Sequence, residues 1–319
     1  MNRVRRRTAA GFFVDDSPGS DTTLCMARIA VIGPGAIGCT MIGWLSQVPA
    51  HRVVVCARTA FDQLELQTPA GTLRVRPTVL TSPAQVPAVD WVLVATKTYD
   101  ATGTVAWLQR LVGPATRVAV LQNGVEHVAR FAPQVPADAI VPVVVDCPAE
   151  RTAPGRVRQR GDGVLTVPAS DGGRAFAALF ESTPLAVKTT PDWPTAAWRK
   201  LCLNAAGAVS AVVLQPARIA RDEAIADVMR GIVREVIAVG TREGARLDDA
   251  LVEWVITSYR NAPPDSINSI HADRLAGRRM EIDARNGVIV RLGRRHGIAT
   301  PYNEAICAFL SALEPAAAG

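Results

Sequence analysis

The stretch IAVIGPGAIGCTM, residues 29–41, decides the fold of this chain. It places Gly33, Gly35 and Gly38 in G-x-G-x-x-G spacing, directly after an apolar run and at the start of a helical pattern. Such glycines permit a tight turn and close approach of the backbone to a pyrophosphate, which the helix N-terminus binds. A glycine-rich turn that serves only helix–sheet packing is the alternative. We predict a dinucleotide-binding loop formed by Gly33, Pro34, Gly35, Ala36, Ile37 and Gly38.

The second predicted strand, within residues 51–58, ends in a basic residue. An NAD site usually carries an acidic residue there, which binds the ribose 2′-hydroxyl. This chain has Arg58 and Thr59 instead, and its next carboxylate is Asp62. A guanidinium group binds a 2′-phosphate through two charge-assisted hydrogen bonds. We therefore predict that Arg58 selects NADP(H) over NAD(H); an exposed arginine without a ligand is the alternative.

Apolar runs continue to alternate with helical patterns as far as Gln122. Runs that are apolar on both faces and joined by helices are typical of a parallel sheet with right-handed crossovers. Lys97 and Asn123 follow the carboxyl ends of two such runs, where sheets of this kind bind their ligands. A solvated strand end and an ordinary Asn-Gly turn are the alternatives. After Gln122, alternating residues with Gly and Pro predict antiparallel strands added to the edge of the sheet.

The sequence TTPDWPT, residues 189–195, predicts a domain boundary, because it combines two prolines with a helix-start pattern. The predicted fold class is α/β: residues 26–192 form a Rossmann-type, doubly wound parallel sheet with added edge strands, and residues 193–319 form an all-helical domain. Residues 1–25 are predicted to be a disordered tail or an incorrectly assigned start, because Met26 directly precedes the first strand. The helices of the second domain are expected over about 195–214, 222–243, 248–259, 272–286 and 302–313.

The composition argues against several other classes of protein. The 319 residues carry a net charge of +6, but only 5% are aromatic, so a stacking surface for nucleic acid is not expected. The 6 cysteines form no CxxC pair and the 4 histidines are isolated, which gives no metal-ligand spacing. No uncharged apolar run reaches the ~18 residues of a membrane helix. We expect a cytoplasmic protein with reduced cysteines and without a metal, a nucleic-acid partner or a membrane partner.

A second group of polar residues lies in the helical half. Lys200 and Asn204 are four residues apart in WRKLCLNAAGAVSAV, residues 198–212, and therefore share one face of an apolar helix. They lie either at the exposed edge of the helix or in a pocket. In a pocket, a lysine partly removed from water gives up its proton more readily, and it can protonate the oxygen of a ketone under reduction. Glu281 is the expected partner of Lys200, and Ser269 an expected donor to a carboxylate; a surface ion pair and a helix cap are the alternatives.

Seven motifs occur in a characteristic order: GPGAIG, VATK, LQNG, WRKLCLN, SIHAD, MEID followed by NG, and HGIATP. In this order, between about residues 28 and 313, they closely resemble the ketopantoate reductase (2-dehydropantoate 2-reductase) family. The resemblance implies a Rossmann domain, a helical C-terminal domain, an active site between them, and a homodimer formed through the helical domain. The resemblance also implies roles for single residues. In the reaction, Lys200 is the general acid with Glu281 near it, Asn123 and Asn204 position the substrate or the lysine, and Ser269 binds the substrate carboxylate. On the cofactor side it implies Lys97, Asn123 and Glu281, with Arg58 at the NADP phosphate.

The reaction implied by this resemblance is the NADPH-dependent reduction of 2-dehydropantoate to (R)-pantoate, in the pathway to pantothenate and coenzyme A. Two departures from the family pattern concern the substrate. Ala208 stands where members often carry a second asparagine, and residues 214–222 contain no asparagine. Reduction of another branched 2-oxo acid is therefore one alternative, and a non-catalytic NADP(H)-binding redox sensor is another.

Overall fold

The computed structural model describes residues 26–314, which form a mixed α/β part followed by a helical part. The tail predicted over residues 1–25 lies outside the described residues. The strands are β1 (Arg28–Ile32), β2 (Arg52–Cys56), β3 (Leu64–Thr68), β4 (Gly71–Val75), β5 (Thr78–Leu80), β6 (Trp91–Val94), β7 (Arg117–Val120), β8 (Ile140–Pro142), β9 (Val144–Asp146), β10 (Ala149–Ala153), β11 (Arg156–Gln159), β12 (Val164–Pro168) and β13 (Ala186–Thr190). The helices are α1 (Ala36–Leu45), α2 (Val105–Leu111), α3 (His127–Phe131), α4 (Asp171–Ala178), α5 (Trp193–Ala206), α6 (Ala208–Val213), α7 (Glu223–Arg242), α8 (Ala250–Asn261), α9 (Ser269–Leu275), α10 (Val288–His296) and α11 (Pro301–Ala312).

A six-stranded sheet forms the centre of the N-terminal part, in the order β5-β2-β1-β6-β7-β8. All of its strands pair in parallel, and β6 is buried along its whole length. Counted along the chain, this is the order 3-2-1-4-5-6 of dinucleotide-binding folds. The order reverses between β1 and β6, so the loops that follow these two strands border a crevice at their carboxyl ends. The predicted doubly wound parallel sheet is therefore confirmed.

The added strands differ from the prediction, because they do not extend the central sheet in the antiparallel direction. β8 adds a parallel edge strand, and the others form two separate sheets, β10-β11-β3-β4 and β13-β12-β9. The reason lies in α1, which is apolar and buried on nearly all sides and so needs cover on its outer face. Leu64 and Leu66 of β3 supply that cover, and a side chain at Gly43 of α1 would collide with Leu66.

Helices α5 to α11 enclose a second apolar core, centred on buried residues of α5, α7 and α8 such as Leu201, Ile232 and Val255. The helix predicted over residues 195–214 is two helices, α5 and α6, which meet at Gly207. The Tyr259 hydroxyl occupies the space that a side chain at Gly207 would need. The α/β part and the following helical part thus agree with the predicted architecture.

The helix predicted over residues 272–286 is wrong in its centre. α9 ends at Leu275, and Gly277 follows with a φ of 61°, a left-handed conformation that ends helices. Arg278 then folds back and donates to the Asp273 carboxylate at 3.0 Å. The chain re-enters helical structure through a π-helical turn, Asp283–Gly287, which leads directly into α10, a helix absent from the prediction.

Within residues 26–314, no helix is long and apolar enough to cross a membrane, and no group of three or more His, Cys, Asp or Glu is arranged to hold a metal ion. All five cysteines in this range are free thiols. Burial raises the pKa of the Cys39 thiol to about 12, so it is protonated at neutral pH. The division of the chain after residue 192 stays a prediction, although α5 begins at Trp193.

Candidate active site

The glycine loop lies after β1, at the crevice between β1 and β6. Gly33 has a φ of +90°, and a Cβ atom there would lie 2.7 Å from the Thr96 side chain. A Cβ atom at Gly38 would lie 2.2 Å from the carbonyl oxygen of Gly33, so the fold itself requires both glycines. At Gly35, by contrast, a Cβ atom would meet nothing within 4 Å. The loop therefore fits a pyrophosphate, for which Gly35 leaves space against the backbone.

The other residues predicted at the cofactor side surround this loop. Pro34, Ala36 and Ile37 lie within it, the last two at the start of α1. Arg58 lies two residues beyond β2 with 90% of its side chain exposed, and its guanidinium group lies 3.7 Å from the Asp100 carboxylate. Such a loose contact leaves the guanidinium group accessible to an anionic ligand. Its assignment to the NADP phosphate stays a prediction.

A cluster of charged residues joins the N-terminal part to the helical part. Lys97, which follows β6, donates to Asp273 at 2.7 Å and to Glu281 at 2.9 Å. Glu281 also accepts the backbone N–H of Thr98 at 3.1 Å and the side-chain amide of Asn123 at 3.0 Å. The two carboxylates are buried. Three donors from the N-terminal part thus hold one carboxylate of the helical part.

Burial and ion pairing act in opposite directions on this cluster. Burial would raise the pKa of Glu281, but the charges and hydrogen bonds of Lys97, with the charge of Arg285, hold this pKa below its ordinary value. Burial would likewise lower the pKa of Lys97, but the carboxylates of Glu281 and Asp273 hold it above its ordinary value. Both groups are therefore charged at neutral pH. Lys97 is a fixed cation beside the glycine loop and a poor proton donor.

Lys200 does not pair with Glu281, contrary to the expectation from the sequence. Its ammonium group is hydrogen-bonded to the carboxylate of Asp146, at the end of β9. The physical reason is that Glu281 already accepts from Lys97, Thr98 and Asn123, which occupy its oxygens. Asp146 is about half exposed, so this ion pair is close to solvent and open to replacement by a ligand.

Lys200 nevertheless lies where a small ligand could reach it. Lys200 and Asn204 of α5 and Asn123 after β7 line one cleft, together with Gly124, His127 and Val144. The amide of Asn204 donates to the side-chain oxygen of Asn123 at 3.4 Å. The structure thus brings one ammonium group and two amides to the same cleft, and these are donors that a carbonyl oxygen can accept from.

Ser269 is the exposed first residue of α9, and it does not line that cleft. The side chain of Asn268 caps α9 by accepting the backbone N–H of His271 at 3.1 Å. Ser269 is therefore not the cap that the sequence left open as an alternative. Its hydroxyl oxygen accepts a hydrogen bond from Arg285 at 2.8 Å. Its role as a ligand of the substrate carboxylate stays a prediction.

The sequence did not assign a role to Asp146, Asp273 or Arg285. Asp273 lies one helical turn from Ser269, a spacing visible in the sequence, but its contact with Lys97 spans 176 residues. Asp146 contacts Lys200 across 54 residues, and Arg285 contacts Asn204 across 81 residues. No local pattern marks contacts of this separation, because they depend on how the two parts of the chain pack.

Sequence profiles of known families match both parts of the chain. The family described as "Ketopantoate reductase PanE/ApbA" matches residues 29–172, and its C-terminal counterpart matches residues 192–314. The chain belongs to the ketopantoate reductase family. Members of this family are oxidoreductases that use a nicotinamide cofactor, and the crevice beside the glycine loop is where such a fold binds it.

Individual ketopantoate reductases align with nearly the whole chain. The 2-dehydropantoate 2-reductase of Caulobacter vibrioides is 58% identical over 287 residues, which cover 90% of this chain and 99% of that protein. The enzyme of the same name from Mycobacterium tuberculosis H37Rv is 40% identical over 286 residues, covering 89% of this chain and 97% of that protein. A solved ketopantoate reductase of the PanE/ApbA family from Ralstonia eutropha JMP134 superposes with a TM-score of 0.82 at 31% identity, covering 90% of this chain and 98% of that chain.

Proposed function

We propose that this chain reduces 2-dehydropantoate to (R)-pantoate with NADPH, in the cytoplasm and for the synthesis of pantothenate and coenzyme A. The observation that carries the proposal is the cleft shared by Lys200, Asn204 and Asn123, which lies where the helical part meets the carboxyl ends of the parallel strands. The relatives named 2-dehydropantoate 2-reductase, at 58% and 40% identity, support the choice of substrate.

The proton donor in this mechanism is the ammonium group of Lys200. Bound NADPH supplies the hydride that reduces the carbonyl carbon. The oxygen of that carbonyl gains negative charge, and a positioned ammonium group stabilises the charge and then protonates the oxygen. The oxygen would displace Asp146 as the partner of Lys200, because that ion pair lies near solvent.

The amides of Asn204 and Asn123 position the substrate in this proposal. Asn123 is itself fixed by its hydrogen bond to Glu281 at 3.0 Å, and Glu281 is fixed by Lys97. An amide held in one orientation presents its donors and acceptors without further loss of side-chain entropy. Glu281 and Lys97 therefore act by holding Asn123 and the end of β6 in place beside the cofactor, rather than by transferring the proton.

Arg58 supplies the preference for NADPH in this proposal. We expect Arg58→Ala to raise the KM for NADPH by at least about tenfold, because the two charge-assisted hydrogen bonds to the 2′-phosphate are lost, and to leave the KM for NADH unchanged. The measurement is steady-state kinetics with each coenzyme. Arg76→Ala is the matched control, since Arg76 is an exposed arginine that follows β4. A wild-type preference for NADH, or equal effects of the Arg58 variant on both coenzymes, would contradict this assignment.

The direct test of the proposed function is an assay of the purified chain with NADPH and 2-dehydropantoate, beside a panel of other branched 2-oxo acids. Higher kcat/KM for 2-dehydropantoate supports the proposal. Ala208 is fully buried and offers no polar group to a substrate, which keeps another branched 2-oxo acid as the second candidate. Binding of NADPH without oxidation by any of these acids would favour a redox sensor instead.

We further propose that the chain forms a homodimer through its helical part. Large apolar side chains are exposed there on α8 and α11, including Trp254 at 42% and Phe309 at 55%. Exposed apolar surface of this kind favours association with a partner. Sedimentation equilibrium of the full chain reports the oligomeric state directly.

A further inference from the structure

Arg285 is a buried charge that the proposed mechanism leaves without a role. Arg285 is only 2% exposed. It lies in the π-helical turn Asp283–Gly287, between the charged cluster and α10. Removing a guanidinium group from water is costly unless its hydrogen bonds and charge are compensated. π-Helical turns of this kind often occur at functional sites. A buried arginine at this position lowers the stability of the fold, which indicates that it is kept for a role in function.

Two of its contacts connect Asn204, which lines the cleft, to Ser269, the predicted ligand of the substrate carboxylate. One terminal nitrogen donates to the Ser269 hydroxyl at 2.8 Å, and the other donates to the backbone carbonyl of Asn204 at 3.4 Å. The remaining nitrogen, Nε, is buried and has no hydrogen-bond partner within residues 26–314. Arg285 thus ties α9 to α5, and no carboxylate is hydrogen-bonded to it.

The charge of Arg285 is compensated only at a distance. Glu281 and Asp273 are the neighbouring carboxylates whose charges act on it, and both are already bonded to Lys97. Asp273 also accepts from Arg278. Lys97 and Arg278 already bind these two carboxylates, so Arg285 has no carboxylate of its own among the groups that act on it. The carboxylate of a substrate nearby would be attracted to this charge.

The hydrogen bond from Arg285 also fixes how Ser269 can act. A serine hydroxyl has one hydrogen to donate, and its oxygen accepts. Because the oxygen of Ser269 accepts from the guanidinium group and the residue is exposed, its hydrogen is free to be donated to a ligand. A hydroxyl whose oxygen accepts from a cation is also a stronger donor, through polarisation along the chain of hydrogen bonds.

We propose that Arg285 is a positioning and specificity residue for the substrate carboxylate, which it favours through its charge and through the Ser269 hydroxyl that it holds as a donor. The proposal rests on the proposed function, since it requires a 2-oxo acid whose carbonyl group lies at Lys200 in the cleft and whose carboxylate extends beyond the cleft lining to Ser269. Lysine would not replace Arg285, because only the planar guanidinium group reaches Ser269 and Asn204 at once with fixed geometry.

The test is a double-mutant cycle with Arg285→Met and Ser269→Ala. We expect R285M to raise the KM for 2-dehydropantoate by at least about tenfold, the loss of a hydrogen-bonded charge. We expect the KM for NADPH to stay at the wild-type value, because Arg285 does not contact the glycine loop. In the R285M background, S269A should add little to the KM, since the hydroxyl has already lost its orientation. Arg294→Met, an exposed arginine of α10, is the matched control.

A purely structural role would give a different result. It would lower the melting temperature, raise both KM values together, and make the effects of R285M and S269A multiply; any of these kinetic outcomes overturns the proposal. If R285M does not fold, Arg285→Lys keeps the charge and most of the volume but loses the paired contacts to Ser269 and Asn204, so a smaller rise in the KM for 2-dehydropantoate is expected from it. Failure of the wild-type chain to reduce any 2-oxo acid would instead contradict the proposed function. Wild-type activity with an unchanged KM in both variants would contradict only the role of Arg285.

Discussion

The glycine loop and the Glu281 cluster lie at two sides of one crevice, but they are built in different ways. The loop is made of backbone from a single stretch, where Gly33, Gly35 and Gly38 leave room for one another and for a ligand. The cluster is made mainly of side chains, and its contacts between the two parts of the chain span 158 to 184 residues. A larger side chain at one of the glycines should therefore impair the loop. Removal of one charged or polar side chain should impair the cluster and the neighbouring cleft.

The largest effect is expected at the cleft. Lys200→Ala should lower kcat by about 10²–10⁴-fold, the usual contribution of a positioned acid, and leave the KM for NADPH unchanged. Stopped-flow and steady-state assays measure both quantities. Lys188→Ala, on the exposed edge strand β13, is the control and should behave like the wild type. Near-normal turnover in the Lys200 variant would refute its role as the acid.

At the glycine loop, the effect should depend on which glycine gains a methyl group. Gly38→Ala places Cβ against the Gly33 carbonyl and should lower the free energy of unfolding by about 1–3 kcal/mol, as overpacking does. Gly35→Ala should fold with wild-type stability, since open space surrounds its Cβ, but should raise the KM for NADPH. Urea unfolding and kinetics separate the two. Equal loss of stability in both variants would show that Gly35 also serves packing.

A smaller effect is expected in the charged cluster from Glu281→Gln. Lys97 would keep Asp273 as its partner and is about one-third exposed, so the loss in stability should be about 1 kcal/mol. In the folded state the pKa of Glu281 lies below its value in the unfolded chain. The ionised carboxylate therefore stabilises the fold fully at a pH above the pKa of the unfolded state, and this stabilisation is lost as the pH falls through the pKa of the folded state. The variant should therefore lose less stability on acidification than the wild type does. Unfolding curves between pH 7 and pH 3 test this expectation, which identical acid profiles would contradict.

The last effect is absent at neutral pH and appears only on acidification; it concerns His127, which lines the cleft. Burial lowers its pKa from 6.5 to about 4, and its Nε2 lies 2.8 Å from the Gln122 carbonyl oxygen. The neutral ring therefore contributes stability that is complete above pH 6.5 and is lost as the pH falls toward 4, by at most about 1.4 kcal/mol per pH unit. His127→Gln should remove this slope. Thermal melts at pH 7.5 and 5 measure it, and a variant with the wild-type slope would place the acid sensitivity elsewhere.

The same contrast explains how much of the molecule the sequence could predict. The parallel sheet and the glycine loop follow from apolar runs and from the spacing of Gly33, Gly35 and Gly38, which are local properties. The face shared by Lys200 and Asn204 was also local, since it depends only on helical periodicity. The partner of Lys200 does not follow from a local property, because Glu281 is held by three donors that come from other parts of the chain. The break after Leu275 was missed because Gly277 ends α9 inside a pattern with helical periodicity.

The three hydrogen bonds that Glu281 accepts have a consequence for the engineering of new reductases by recombination. A crossover near residue 191 separates Glu281 from Lys97, Thr98 and Asn123, which would then come from the other parent. Parents that differ at these positions would yield chimeras whose halves each fold but meet through a mismatched carboxylate. Exchanging the loops after β6 and β7 together with the helical part keeps donors and acceptor as one transferable unit.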